Sequence, residues 1–185
     1  MNLFICCLVF IVIYDLFELM EEEKLIFYIV FYIVVIPLSF LLHEIGHGIG
    51  VVLTSKSQVH IYLGSKNEQN KINFRLGRFC FHLQLAYMGF CGWEDGLNKR
   101  QKFFSLISGP LTTLLLMVVF LFLRDHVGDG DVRTLFVKAA EFNLILFLST
   151  IIPFRYPRWM GTMAGYPTDG LQLIRLFQNE IETEE

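Results

Sequence analysis

Charge is scarce in this sequence. Lys and Arg number 15 and Asp and Glu 18 among 185 residues, 18% of the chain, against roughly 25% in soluble domains. The net charge of −3 gives no basic footprint, so no nucleic-acid partner is expected. Four cysteines in a chain of this length make no disulfide scaffold. No Lys or Arg precedes the first apolar run and no small-residue cleavage site follows it, so a cleaved signal peptide is not expected. There is no internal repeat and no low-complexity tract, and Glu21-Glu22-Glu23 is only a short acidic loop. What fills the chain instead is apolar: 54% hydrophobic and 15% aromatic residues, with mean hydropathy +0.52. That excludes a disordered chain, a collagen and a coiled coil, and points to a lipid bilayer as the chain's surroundings.

A helix crosses the hydrocarbon core with about 20 apolar residues. Leu25 to Leu42 carries no charge and its apolar pattern runs on to Leu53; Phe103 to Leu123 is a second uncharged run; Thr134 to Phe154 is a third, holding Lys138 and Glu141 at i,i+3 spacing. The run 3–20 is interrupted by Asp15 and Glu18 and is the weakest of the four. The expected fold is therefore mainly α, a polytopic membrane protein with about four transmembrane helices, over 3–20, 25–53, 103–123 and 134–154. The whole of 1–185 reads as a single membrane-embedded domain.

Lys and Arg mark the cytoplasmic side. Segment 54–102 holds Lys56, Lys66, Lys71, Arg75, Arg78, Lys99, Arg100 and Lys102, and the region after Phe154 holds Arg155, Arg158 and Arg175. The opposite connections hold only Lys24, Arg124 and Arg133. A multi-pass protein of the cell membrane, with 54–102 on the cytoplasmic face, is expected. Within that segment Val59–Leu63, Ile72–Leu76 and Phe79–Tyr87 alternate in the manner of strands and are closed by glycines; they predict a small sheet at the membrane surface, between the second and third spans.

Inside the longest apolar run lies His43-Glu44-Ile45-Gly46-His47, an H-E-x-x-H. Residues i and i+4 share a helix face, so both imidazoles can reach one ion, and Glu44 beside them can act as general base to an activated water. Ionisable groups within a span cost roughly 2.5–3.5 kcal/mol each on insertion scales and mark function. Against this stands a plain alternative, a helix end among the headgroups, because His43 lies about 27 Å along a helix from Leu25 at 1.5 Å per residue. A catalytic Zn²⁺ takes three protein ligands and keeps one position open. His60, His82, His126, Cys80, Cys91 and Asp169 are the candidates for the third, with His126 on the opposite side. Asp169, in the element Pro167–Leu171 (167–171), serves equally well as a helix cap. Pro37 is expected to kink its span, and Gly46, Gly48 and Gly50 either admit a close helix neighbour or loosen the helix end.

Several ordered features together resemble the site-2 proteases, zinc metalloproteases that cut within or beside the membrane. They are HEIGHGIG late in a span, a strand-rich segment closing on AYMGFCGW (Ala86 to Trp93), Gly109-Pro110 at the head of the next span, and Asn143-Leu144, Pro153 and Asp169-Gly170 in the last. The resemblance covers roughly residues 25–175. It implies one Zn²⁺ held by His43, His47 and Asp169, Glu44 as catalytic residue, and Gly109, Pro110 and Asn143 at the substrate, although Asn143, polar at mid-membrane, serves equally well to orient another helix. It implies an intramembrane zinc metalloendopeptidase hydrolysing bonds in or next to transmembrane segments of a membrane protein or peptide substrate, in regulated proteolysis or peptide maturation. A regulatory membrane partner suits so small a chain. The readings from another class are a zinc-binding or zinc-transport membrane protein and a catalytically inactive relative. In this chain residues 154–168 separate Pro153 from the Asp-Gly pair, where the family pattern keeps them close.

Overall fold

The computed structural model describes residues 25–67 and 69–181. The expected first span, 3–20, lies outside the described residues. A helical run opens with α1 (Leu25–Val30), passes through a π-helical turn (Phe31–Val35) and continues as α2 (Ile36–Thr54). Four short strands follow: β1 (Val59–Leu63), β2 (Phe74–Leu76), β3 (Phe79–Leu83) and β4 (Gly89–Trp93). Then come α3 (Lys99–Arg124), α4 (Asp131–Ile151), a 3-10 turn (Gly161–Met163) and α5 (Asp169–Ile181).

Among the described residues three helices are long and apolar enough to cross a membrane: Ile26–Thr54, Lys99–Arg124 and Asp131–Ile151. Their outward faces carry Leu53, Leu115, Val118 and Phe122 exposed, the pattern of helices solvated by lipid rather than water. Pro37 has no N–H to donate four residues back. The π turn accommodates this, with the Ile36 N–H reaching Phe31 O, so the proline's effect is a local widening.

The sheet order is β2-β3-β1-β4. β1 runs parallel to β3 and antiparallel to β4, with His60 registered against Cys80 and Gly92, and Tyr62 against His82 and Phe90. The stretch Ala86 to Trp93 that closes the segment ends in β4, an edge strand among the described residues, where a Cβ on Gly89 would lie 2.5 Å from Glu44 Cγ. The alternate face packs Val59, Ile61 and Phe81 with Val51 of α2 into one core. Arg78, between β2 and β3, donates to Ser55 O and Val52 O, and Gln101 Nε2 donates to Thr54 O at 2.8 Å. The last carbonyls of α2 are thus capped by the sheet and by α3, which fixes the sheet against the end of the span that carries the histidines.

Helices α2 and α3 meet through glycine. A Cβ on Gly50 would lie 2.5 Å from Phe104 O, and one on Gly46 would clash with Thr112. Gly48 faces the other way, where a Cβ would come within 2.6 Å of the Phe79 ring. The three glycines therefore admit close neighbours on two sides, the small-residue logic of helix contacts in membranes.

Candidate metal centre

His43 and His47 stand one turn apart on α2, both buried, with their Nε2 atoms 3.0 Å from each other. Asp169, the first residue of α5, brings Oδ2 to 3.3 Å from each. The three donor atoms lie within 4.8 Å of one another, so this group could hold a metal ion. Burial of the Asp169 carboxyl works to raise its pKa, and the facing His47 and His43 outweigh it, holding the group below the usual carboxylate range.

Each donor is aimed by a neighbour. His47 Nδ1 is 2.8 Å from Ser105 O; a carbonyl only accepts, so Nδ1 carries the proton and Nε2 presents its lone pair to the site. The ring fits because residue 109 is glycine: a Cβ there would clash with His47 Nε2. His43 Nδ1 is buried and has no hydrogen-bond partner among the described residues.

Asp169 reaches the pair through its own local chemistry. The alternative of a capping role falls to Thr168: Leu171 N donates to Thr168 Oγ1 at 3.3 Å, and Thr168 Oγ1 donates to Ile152 O at 2.9 Å. With the cap supplied one residue earlier, the Asp169 carboxylate is free to turn to the histidines. Gly170 then allows the start of α5 to press on the end of α4, since a Cβ there would clash with Ile151 O. The intervening residues 154–168 fold back on themselves. Thr168 N donates to Phe154 O at 3.0 Å, Tyr156 N to Tyr166 O at 2.9 Å, and Arg155 bridges to Pro167. Their insertion leaves the aspartate beside the end of the span.

A cavity of about 500 Å³ opens onto the three donors, and Glu44 lines it with them. Glu44 is 8% exposed and packs on β4, where a Cβ on Gly89 would lie 2.5 Å from Glu44 Cγ. Phe90, Cys91 and Trp93 line the same space, so the edge strand of the sheet is one wall. A second, apolar cavity of about 430 Å³ adjoins it between α2 and α4 and shares Phe40, Leu146, Tyr156 and Met163.

Of the other candidates for the third donor, Cys91 lines the cavity outside the three-donor group, and the rest stand apart. His60, His82 and Cys80 lie on the sheet face turned away from α2, and His126 is near the end of α3, with Nδ1 2.8 Å from Phe122 O. Asn143, Gly109 and Pro110 are not among the residues lining the cavity. Asn143, fully buried, donates to Ser39 Oγ at 3.0 Å and Ala139 O at 2.8 Å, joining α4 to α2. Pro110 is buried in α3 beside Gly109.

Cys91, one of the candidate donors from sequence, lines the cavity from β4, and burial and then the Glu44 charge push its thiol up. Tyr156 was missed from sequence: raised by burial and by the charges of Asp169 and Glu44, it sits in the folded-back segment, where no periodicity announces it. No family model, curated protein or solved structure matches this chain.

Proposed function

We propose that the chain is an intramembrane zinc metalloendopeptidase of the site-2 protease kind. The observation that carries this reading is that Glu44 shares one buried cavity with the His43-His47-Asp169 group. Two imidazoles, one of them held by the Ser105 carbonyl, and a carboxylate are a donor set that suits Zn²⁺ and leaves a position open. Bound there, Zn²⁺ would supply a Lewis acid and lower the pKa of a water. Glu44 takes the proton of the attacking water and passes it to the leaving amine. The low-dielectric walls formed by Phe40 and Leu146 strengthen each of these electrostatic effects.

A helical peptide bond is already hydrogen-bonded, so the substrate has to present an extended stretch. Among the described residues β4 is paired only on its β1 side, and it lines the cavity beside Glu44, so an unwound substrate segment adds to that edge as a further strand. The adjoining apolar cavity between α2 and α4 suits the part of the substrate that stays in lipid. On the Lys and Arg count this end of the molecule faces the cytoplasm.

The test compares membrane and secreted peptides from cells making the natural chain with those making Glu44→Gln. Fragments ending in or beside a membrane segment should appear only with the glutamate present, while the variant retains its metal. Matching peptide profiles with equal metal content would overturn the reading in favour of a binding or transport protein.

A further inference from the structure

A second histidine cluster lies on the outer face of the sheet, away from the metal centre. Four groups form a line. Asn70 O is 2.7 Å from His82 Nδ1; His82 Nε2 is 3.0 Å from His60 Nδ1; His60 Nε2 is 3.2 Å from Glu94 Oε1. The Asn70 carbonyl fixes the tautomer of His82, and Glu94, where it accepts from His60, sets that of His60. A carbonyl oxygen only accepts, so His82 carries its hydrogen on Nδ1; an ionised carboxylate only accepts, so His60 carries one on Nε2. In two neutral rings, the remaining nitrogens would then confront each other at 3.0 Å as two lone pairs. A proton between them would turn that contact into a hydrogen bond.

We infer that His60 and His82 share one bound proton, and that the resulting cation, paired with Glu94, is a proton-operated clasp on the edge strand. The His82 end of the line is held in place from two sides. Asn70 is buried and its Nδ2 donates to Leu63 O and Ser65 O at 3.3 and 3.1 Å. The Tyr62 ring stacks on His82 with centroids 4.1 Å apart. A metal ion between the rings would want a third ligand; among the described residues only His43, His47 and Asp169 form such a group, so the proton is the occupant that fits.

The charges around the clasp are of both signs. Glu94, just after β4, favours the cation. Lys66, from the loop after β1, stands 5.9 Å over the Tyr62 ring, and Arg75 of β2 shares the face through its register with Cys80; both oppose it. Cys80 of β3 shares that face and bonds Gln58 Oε1 through its thiol at 3.8 Å. Position 92 of β4, opposite His60, is glycine and contributes no group.

The proton joins the sheet interior, through β1 and β3, to the far end of β4, whose other end touches Glu44. Acid should therefore fasten the edge strand and alkali should release it. The consequence for peptide cleavage rests on the proposed function, but the clasp itself does not.

The test uses the full chain in lipid nanodiscs. Thermal midpoints are compared for the natural chain and Glu94→Gln at pH 5.5 and 8.5. The natural chain should lead by about 2–4 °C in acid, a typical shift for a chain of this size, and the lead should shrink as pH rises. Protonation at the metal centre is common to both proteins and drops out of the difference. An equal lead at both pH values would overturn the clasp. Histidine-labelled NMR of the natural chain gives a second reading, independent of any variant: one hydrogen shared between His60 Nδ1 and His82 Nε2 is expected. A metal equivalent that disappears with His60→Gln would refute the proton and put a metal in its place.

Discussion

Two pairs of histidines bring ring nitrogens to 3.0 Å in this molecule, and they differ in where the carboxylate stands. At the helix pair, Asp169 reaches both rings at 3.3 Å, so three donors face one point. At the sheet pair, Glu94 reaches only the far nitrogen of His60, so the rings face each other with nothing to complete a coordination shell. Ring spacing alone does not distinguish a metal centre from a hydrogen-bonded pair. The position of the third group does.

Removing each carboxylate is the strongest way to break that comparison. Asp169→Ala should weaken metal binding by at least about 100-fold, beyond the 10–100-fold usual for a second-shell partner. Glu94→Ala should leave it unchanged, as read by metal content against a competing chelator. Equal losses would mean that the two sites are coupled or that the metal sits elsewhere.

Acid sharpens the same contrast. Ligating imidazoles have to be neutral, whereas the Asp169 carboxyl lies below the usual range and stays ionised above it. Metal binding should therefore weaken as pH falls, with protons taken up by the imidazoles and none by Asp169. A proton count from calorimetry in buffers of different ionisation enthalpy, exceeding the two rings, would contradict that assignment.

Smaller effects test how the helix pair is aimed. Gly109→Ala should crowd the His47 ring, lowering metal affinity about tenfold and stability by roughly 1–3 kcal/mol, the usual cost of overpacking. Gly96→Ala, where nothing lies within 4 Å of the added carbon, should change neither metal affinity nor midpoint. Thr168→Ala should cost about 1 kcal/mol through the lost cap, and its metal affinity should fall less than that of Gly109→Ala. A larger loss at Thr168 would show that the cap, more than the glycine seat, sets the geometry.

The helical part of this architecture was legible because its signals are local. Apolar runs report their own length, and i,i+4 spacing places His43 and His47 on one face without knowledge of anything else. Asp169 was only half legible. Its cap-or-ligand ambiguity depends on Thr168 and Ile151, which lie next to it in space but not in any pattern, and the resemblance alone favoured the ligand reading. β4 was unreadable because Gly89 and Gly92 interrupt the alternation. Gly89 is glycine for a reason set far along the chain, since Glu44 packs where its Cβ would lie. The pairing of His60 with His82 was equally hidden, since it depends on the parallel register of β1 and β3, for which no sequence period exists.

The folded-back segment between Phe154 and Thr168 has a use of its own. Its base is pinned by backbone pairing and its tip carries Gly161 at φ +56°, with open space around it. Lengthening a flexible loop costs only about 0.6 kcal/mol per doubling. Residue 161 is thus a port at which a spin label, a fluorescent peptide or a tether to a surface can be spliced into the chain, two residues from Met163 in the cavity wall and outside the hydrogen bonds at the segment's neck.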